Sequence, residues 1–461
     1  MTAVNESTTG VRAVPPGTRL VADPSLRRFD GGRMLLGGSP PRLLTLNARA
    51  AESVRGWLND EPVPDDPTAG RLARRLLDAG LVHPHPPAGV HSSADVTLVV
   101  PVKDNPAGTA QLLDATRDLA RRIVVDDGSA DPLPRATIRH DRPRGAAAAR
   151  NTGWRLASTE LVAFLDSDIT PEPGWLEAIL PQFGDPQVVA VAPRVRSQRT
   201  GWSPAERYEA DFSRLDMGDG PAPVRPLSRV SYVPTAALVV RRSALADVAG
   251  FDEELRFGED VDLVWRLLAS GGTVRYEPTV TVWHTPRRTL RAWLRQRFDY
   301  GTSAAPLSHR HFGDLTCALL TRWNTVVWSL VAAGKPLPAV AVAAGDAMRL
   351  VRGLDGLPPR EALGLVARRQ VVVARMVAEA MRRGWWPLAL LSRNGRRLLS
   401  ASVALKIWDV TRARRKVDPA AQLLALADDL AYSAGVWAGC FRHRTLAPLI
   451  PRIVDEARTL R

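Results

Sequence analysis

The chain has 461 residues, a formal net charge of +14 and two cysteines, Cys317 and Cys440. This length is too great for one ordinary hydrophobic core, so we expect two or three domains. Two cysteines exclude a disulfide-based scaffold and fit a reducing cytoplasm. Residues 1–10 are polar and lack the apolar region of a secretory signal, and we expect residues 1–14 to form a disordered tail.

Residues 15–90 are expected to form a small separate unit. Asn47 is a good helix N-cap, and the helix-like segment Ala48–Leu58 follows it. A second helix is predicted over Gly70–Gly80, and Leu81-Val82 would begin a β-wing. The pattern resembles the small winged-helix domains that recognise precursor peptides, and a purely structural role for the unit is an equal alternative.

The central region alternates short apolar segments with helical ones. Asp95–Val102, Arg122–Val125 and Leu161–Leu165 are apolar and rich in β-branched residues, as in strands of a buried parallel sheet. Ala107–Ala120 has helical spacing. The alternation predicts an α/β sheet with right-handed crossovers, and ligands of such sheets bind beyond the carboxyl ends of the strands.

Carboxylates follow these predicted strands, so they are expected to gather at one edge of the sheet. They are Asp104, Asp126, Asp127, Asp166 and Asp168. A divalent cation and a phosphorylated ligand would relieve their mutual repulsion. Oxygen ligands of this kind suit Mg²⁺ or Mn²⁺, which bind through one or two carboxylates together with substrate phosphates.

Taken alone, each candidate position also has a purely structural interpretation. Asp127-Gly-Ser is a good turn, and Arg144–Asn151 could be only an alanine-rich helix. His284, at the end of a strand-like segment, could be a structural hydrogen-bonding group. Glu259 and Asp260 precede an apolar helical pattern, where acidic residues favour a helix N-terminus.

Six segments in a fixed order carry a family resemblance. They are Val124–Ser129, Arg144–Asn151, Phe164–Asp168, Val233–Ala237, Gly250–Glu253 and Gly258–Asp262. Together they resemble the family 2 glycosyltransferases, which move a sugar from a nucleotide diphosphate to an acceptor and invert the anomeric centre. The resemblance implies an α/β, Rossmann-like GT-A core over residues 95–305.

The resemblance also implies a role for each matching residue. Asp260 would be the catalytic base, and Asp168 and His284 would bind Mg²⁺ or Mn²⁺. Arg150 would contact the nucleotide, and Asp166 would meet the ribose. The full set of substrate-binding residues implied in this way is Asp104, Asp126, Asp127, Arg150, Asp166, Glu259, Gln296 and Arg297.

Gln296-Arg297 lies where processive relatives carry a Gln-x-x-Arg-Trp motif. Here the sequence continues Phe-Asp-Tyr-Gly, without that tryptophan. The departure argues against a long-chain polymerising synthase and favours the addition of one or a few sugars.

Residues 306–461 carry almost all of the excess charge, with 24 Lys+Arg against 11 Asp+Glu. We predict a basic helical region here, because apolar runs alternate with arginines and six of the 13 tryptophans lie in it. Basic amphipathic helices suit an anionic membrane surface, which would place the protein on the inner face of the cell membrane. The alternative is a helical bundle with a solvated arginine face. Nucleic-acid binding is not expected, because no recognition motif appears.

The layout of the whole chain, a winged-helix-like unit, a family 2 core and a basic helical region, resembles the glycosyltransferases of the mycofactocin system. That resemblance implies a peptide-derived redox cofactor as acceptor, glucose as the sugar and UDP-glucose as the donor. One alternative is a membrane-associated family 2 enzyme that acts on a lipid or polysaccharide. Two others are a glycoside hydrolase using Asp166 and Asp260, and a non-catalytic binding protein on the same fold.

Overall fold

The computed structural model describes residues 12–199, 201, 203–353 and 357–454. The strands are β1 (Arg19–Ala22), β2 (Arg27–Phe29), β3 (Met34–Gly37), β4 (Arg42–Thr45), β5 (Val82–His85), β6 (Val96–Val102), β7 (Arg122–Asp126), β8 (Ile138–Arg139), β9 (Leu161–Leu165), β10 (Ile169–Pro171), β11 (Val188–Ser197), β12 (Ala222–Pro223), β13 (Ala237–Arg241), β14 (Thr273–His284), β15 (Leu319–Thr321) and β16 (Arg452–Val454).

The α-helices alternate with the strands up to β14 and then dominate the chain. They are α1 (Ala48–Leu58), α2 (Pro67–Asp78), α3 (Pro106–Ala115), α4 (Ala146–Leu156), α5 (Trp175–Ile179), α6 (Pro204–Phe212), α7 (Arg242–Asp247), α8 (Glu259–Ala269), α9 (Leu290–Thr302), α10 (Ala304–Arg310), α11 (Arg322–Ala332), α12 (Pro336–Arg352), α13 (Pro359–Ala380), α14 (Trp386–Ala389), α15 (Arg393–Arg414) and α16 (Pro419–Arg442).

The N-terminal unit packs α1 and α2 against two small antiparallel sheets, one of β1 and β5 and the other of β2, β3 and β4. The Asn47 side chain accepts a hydrogen bond from the Ala50 N–H and caps α1, as predicted. Of the predicted tail over residues 1–14, residues 1–11 lie outside the described residues. Val14 is buried in the core of the unit, so ordered structure begins earlier than predicted.

The described residues place nine strands in one central mixed sheet, in the order β10-β14-β11-β13-β9-β6-β7-β8, with β12 beside β14. The predicted strands all exist, and β6, β7 and β9 pair in parallel. Apolar side chains from both faces of the sheet form two large cores. The predicted α/β fold class with a helical C-terminal region is therefore confirmed.

The N-terminal unit is docked on the central domain through buried charges. Arg74 of α2, 2 % exposed, donates to Asp185 at 2.5 Å. Arg225 of the central domain lies 3.4 Å from Asp78 of α2. The unit is therefore held against the domain by one buried ion pair, Arg74 with Asp185, and by one partly exposed pair, Arg225 with Asp78.

The C-terminal helices pack on the central domain mainly through α9 and α16. A Cβ at Gly301 or Gly435 would clash with the backbone of the other helix, so these glycines allow the two helices to approach closely. Arg297 of α9 is 1 % exposed; it donates to Glu209 of α6 and lies 3.4 Å from Asp428 of α16. Three segments that are distant in sequence thus meet at one buried arginine.

Candidate active site

The carboxyl ends of β6, β7 and β9 form one edge of the sheet, and the predicted carboxylates follow them. Asp126 is fully buried, and its oxygens accept the Ser129 N–H at 2.9 Å and the Arg139 guanidinium at 2.5 Å. Burial raises the pKa of Asp126, but these hydrogen bonds outweigh it and the pKa is lowered overall. Asp104 accepts from the Ala130 N–H at 2.8 Å and so holds the same turn.

Asp127 fixes the start of α4. Its two carboxylate oxygens accept the Arg144 N–H at 2.8 Å and the Gly145 N–H at 2.7 Å, and His140 lies 2.8 Å away. Acceptors at a helix start are stabilising because the first N–H groups lack partners within the helix. Asp104, Asp126 and Asp127 therefore shape the sheet edge from outside the cavity described below, and their contact with substrate stays a prediction.

Arg150 joins two of the predicted site segments. Its guanidinium, 4 % exposed, donates to Asp166 at 2.7 Å and to Glu259 at 2.9 Å. Burial lowers the pKa of Arg150, but the two carboxylates raise it overall, so the group stays charged. The strand end at Asp166 and the helix start at Glu259 are thereby fixed relative to each other.

Asp168 directly precedes β10, and His284 is the last residue of β14, so the antiparallel pairing of these strands brings the two side chains together. Asp168 Oδ2 lies 3.4 Å from His284 Nε2 and 4.0 Å from an Arg287 nitrogen. Burial raises the pKa of Asp168, but the hydrogen bond and charge of His284 and the charge of Arg287 lower it overall. The carboxylate is therefore ionised at neutral pH.

The pair formed by Asp168 and His284 fits a divalent cation. Two ligand atoms that bind one ion at right angles, each at about 2.1 Å, lie about 3 Å apart. No group of three or more His, Cys, Asp and Glu side chains within the described ranges could hold a metal. Two protein ligands supplemented by phosphate oxygens are the arrangement that Mg²⁺ prefers. His284 Nδ1 is buried with no hydrogen-bond partner among the described residues, so Asp168 is the neighbour that contacts this imidazole, through Nε2.

Asp260 lies in the first turn of α8, next to Glu259. Burial, reinforced by the negative charge of Glu259, raises the pKa of Asp260 to about 7. A carboxylate with this pKa can accept a proton near neutral pH, which an ordinary aspartate does poorly. The helix start is well defined because Gly258 has a φ of 81° and precedes the first helical residue.

Gln296 and Arg297 are the remaining predicted substrate-binding residues, and their surroundings differ. Gln296 donates to the Tyr300 hydroxyl at 3.0 Å and lines the cavity. Arg297 reaches the same wall, but its charge is already neutralised by Glu209 and Asp428. A substrate contact by Arg297 stays a prediction, and the structure gives this residue a clear packing role.

A cavity of about 1200 Å³ opens at this edge of the sheet. Of the predicted residues, those that line it are Arg150, Asp166, Asp168, Glu259, Asp260, His284, Gln296 and Arg297. The other walls come from the Ser39–Pro41 loop of the N-terminal unit and from the C-terminal helices. All three parts of the chain therefore contribute to one site.

Sequence reasoning missed two kinds of residue. Tyr232 and Arg287 line the cavity but belong to none of the predicted motifs. Arg287 lies shortly after the predicted residue His284, and this proximity in sequence could have identified it. Asn151 accepts from the Phe251 N–H at 2.9 Å and donates to the Phe251 carbonyl at 2.8 Å. It therefore ties α4 to the Gly250–Glu253 loop.

The chain is similar to known glycosyltransferases. The family model described as Glycosyl transferase family 2 matches residues 97–248. The chain is 42 % identical over 469 aligned residues to the pre-mycofactocin glycosyltransferase of Mycobacterium tuberculosis, covering 95 % of this chain and 98 % of that protein. It is 27 % identical over 225 residues to glycosyltransferase AglE of Haloferax volcanii, covering 45 % of this chain and 71 % of that protein.

Among solved structures, the mannosyltransferase PcManGT from Pyrobaculum calidifontis, in complex with GDP-Man and Mn²⁺, is similar to 73 % of this chain. The match covers 86 % of that structure, with a TM-score of 0.39 and 20 % identity.

The protein is an enzyme of the glycosyltransferase class. More narrowly, the chain belongs to glycosyl transferase family 2 and is a homologue of the pre-mycofactocin glycosyltransferase of Mycobacterium tuberculosis.

Proposed function

We propose that this enzyme transfers a glucosyl group, with inversion, from UDP-glucose to a hydroxyl of the peptide-derived cofactor precursor of mycofactocin biosynthesis. The observation that carries the proposal is the position of Asp260, a carboxylate with a pKa of about 7, beside the pair formed by Arg150 and Glu259. The acceptor class is supported by the 42 % identity to the pre-mycofactocin glycosyltransferase along almost the whole of both chains.

The donor would lie along the wall of the cavity that is formed by Arg150, Asp166, Asp168, Glu259 and His284, which we call the charged wall. Asp168 and His284 would hold Mg²⁺ or Mn²⁺ against its diphosphate, and Arg287 is a nearby cation with half of its side chain exposed. When bound, the metal would supply charge stabilisation for the departing nucleoside diphosphate. Asp166 and Glu259, oriented by Arg150, are left to accept hydrogen bonds from donor hydroxyls.

Transfer requires one base and one displacement. Asp260 takes the proton from the acceptor hydroxyl while the hydroxyl oxygen forms a bond to the anomeric carbon and the bond to the diphosphate breaks. A single displacement places the new bond on the face opposite the leaving group, which inverts the anomeric centre. Arg150 keeps Glu259 in place, so the helix start that bears Asp260 stays fixed during the reaction.

The donor and the acceptor can be tested together by mass spectrometry. Purified enzyme with Mn²⁺ is expected to add one or a few hexoses of about 162 Da to pre-mycofactocin from UDP-glucose. UDP-galactose and GDP-mannose serve as matched donors. Transfer from one of these and not from UDP-glucose would replace the proposed donor. Release of free glucose without any glycosylated product would instead indicate hydrolysis.

We also propose that the N-terminal unit recognises the peptide portion of the precursor. Its Ser39–Pro41 loop lines the catalytic cavity, which supports a direct contact with the acceptor. Because the buried ion pair of Arg74 and Asp185 docks the unit, its deletion would leave Asp185 of the catalytic domain without its partner. Point substitutions in the loop are therefore a better test than truncation.

A peripheral position at an anionic membrane is proposed for the C-terminal helices. In the described part of the chain, no helix is long and apolar enough to cross a bilayer. Most of the exposed large apolar side chains nevertheless lie here, including Leu337 and Leu391, each 81 % exposed, Phe441 at 74 % and Trp408 at 62 %. Apolar side chains beside many arginines are the combination that binds an anionic interface.

We expect the full-length protein to co-sediment with vesicles that contain phosphatidylglycerol and to bind vesicles of pure phosphatidylcholine weakly. Binding should fall as the salt concentration rises from about 0.05 M to about 0.5 M, because counter-ions screen exposed charge. The double variant Leu337→Gln, Leu391→Gln should bind less than the wild type. Equal binding to both vesicle types would remove the electrostatic part of the proposal, and no binding to either would favour a helical bundle away from membranes.

A further inference from the structure

The cavity is larger than one donor molecule needs. Its volume is about 1200 Å³, whereas pockets for a single small ligand are generally about 300–1,000 Å³. A direct displacement requires the donor and the acceptor to be bound at the same time. The volume beyond the charged wall is therefore available to the acceptor.

The walls of the cavity differ in character from one side to the other. The charged groups of the catalytic site belong to the sheet edge and to the start of α8. β15, α12 and α13 contribute several apolar side chains, together with the charged Arg368, Arg369 and Glu379 of α13, and we call the apolar part of this wall the apolar chamber. It is lined by Leu320, Leu350, Leu365, Val373 and Met376.

Asp260, the proposed base, lines the same cavity as the apolar chamber. Its neighbour Glu259 is bonded to Arg150 on the charged side. Tyr232 and Tyr300 line the same cavity, and burial together with the nearby charge of Asp260 raises the pKa of both phenols. Because Asp260 and the apolar chamber share one cavity, an acceptor whose body occupies the chamber can place its hydroxyl near Asp260.

We propose that the C-terminal helices form the acceptor-binding domain, and that the apolar chamber holds an apolar or aromatic body attached to the reacting hydroxyl. The inference rests on the proposed transferase function but not on the identity of the sugar or the acceptor. Affinity for such a body comes from removing its apolar surface from water, about fourfold for each methylene buried. Specificity then depends on the shape of the chamber, with few hydrogen bonds to the acceptor body.

Two neighbouring valines of α13 give a matched pair of variants. Val372 is 55 % exposed and lines the cavity, whereas Val371 is 56 % exposed and does not line it. Both positions tolerate a charge without loss of the fold because both side chains are already in contact with water. Val372→Asp is expected to raise the acceptor KM about 10-fold with the donor Kd unchanged, and Val371→Asp should resemble the wild type.

Met376 provides a second variant deeper in the chamber. Met376→Gln keeps the side-chain volume but places an unpaired amide among apolar groups, and we expect the acceptor KM to rise by about 10-fold or more. Met376→Leu should restore a value near that of the wild type. Met348→Gln, at a methionine 56 % exposed and outside the cavity lining, is the matched control. Equal KM values for Met376→Gln and Met348→Gln, in proteins with unchanged Tm, would overturn the proposal.

A binding measurement separates failure of this inference from failure of the proposed function. Methyl, butyl and hexyl glucosides are titrated calorimetrically into enzyme that is saturated with UDP and Mn²⁺. Affinity should increase with alkyl length in the wild type and much less in Met376→Gln. Affinity that does not depend on alkyl length would overturn the apolar chamber, even if pre-mycofactocin is glycosylated. An increase with length, without transfer to pre-mycofactocin, would support the chamber and contradict only the proposed acceptor.

Discussion

Asp260→Asn is expected to lower kcat by about 10²–10⁴ while the Kd for the donor stays near the wild-type value. The reason is that the amide cannot accept the acceptor proton, although it fills the same space next to Glu259. Donor affinity is measured by calorimetry with UDP-glucose and Mn²⁺, and kcat by release of UDP in the presence of acceptor. Glu254→Gln is the matched control, because that side chain is 88 % exposed and lies outside the site. Loss of donor binding with retained chemistry would make Asp260 a nucleotide contact.

The raised pKa of Asp260 predicts two further measurable effects, one on the pH dependence of kcat and one on the pH dependence of Tm. Because the base must be ionised, kcat of the wild type should rise with pH and level off above about 7. The folded pKa lies above the unfolded value of 3.8, so ionisation destabilises the fold progressively between about pH 4 and pH 7. Asparagine does not titrate. The Tm of Asp260→Asn should therefore exceed that of the wild type at pH 8, with a gap that shrinks towards pH 4.

A loss of activity without this pH-dependent gain in stability would show that the surroundings of Asp260 do not disfavour its ionised form. Removal of a catalytic group is expected to stabilise the folded protein where the ionised form of that group lowers the free energy of unfolding. A purely structural acid at a helix start would give the opposite result. Its loss would lower the Tm, because the carboxylate would have been stabilised by the helix dipole.

The elements that the sequence predicted best are those with strong local signals. The helix Ala48–Leu58 and the strand Leu161–Leu165 have the predicted bounds, because a capping asparagine and an unbroken apolar run fix them locally. The order of the motifs likewise identified Arg150, Asp166, Asp168, Asp260 and His284, and all five line one cavity.

Long-range contacts could not be predicted in this way. Asp127 follows a strand, as predicted, but its oxygens are engaged by backbone N–H groups that lie 17 and 18 residues further along the chain. Arg297 lies at a recognisable motif position, but its two partners are distant in sequence. Glu209 lies 88 residues before it, and Asp428 lies far after it. Nothing in local composition marks such partners, because they are set by tertiary packing.

The residues that form the walls of the cavity could not be predicted for the same reason, because long-range packing brings them together. Met376 belongs to a helix that the sequence assigned to a basic, amphipathic region, and its place beside the catalytic site depends on how α16 packs on α9. The close approach of these two helices needs the glycines Gly301 and Gly435, which carry no functional signal of their own. Function here is shared by segments that are separate in sequence and meet only in the folded chain.

Asp168→Ala is expected to weaken binding of UDP-glucose in the presence of Mn²⁺ by about 100-fold or more, which corresponds to roughly 3 kcal/mol, and to abolish turnover. The physical reason is that Asp168 and His284 are the two described side chains that converge on the same point beside the cavity, 3.4 Å apart. Without the carboxylate, a metal ion and a diphosphate there would lack their anionic protein ligand, and Arg287 would lose its partner.

The measurements that decide this assignment separate the metal from the fold. Binding of Mn²⁺ in the presence of UDP, followed by electron paramagnetic resonance, should be lost in Asp168→Ala and weakened in His284→Ala. Asp114→Ala is the matched control, because that carboxylate is 79 % exposed on α3 and away from the cavity. Unchanged Tm values would show that the loss is local. Full activity of the wild type in excess EDTA would contradict the metal site, because a diphosphate leaving group would then depend on Arg287 and its neighbours alone.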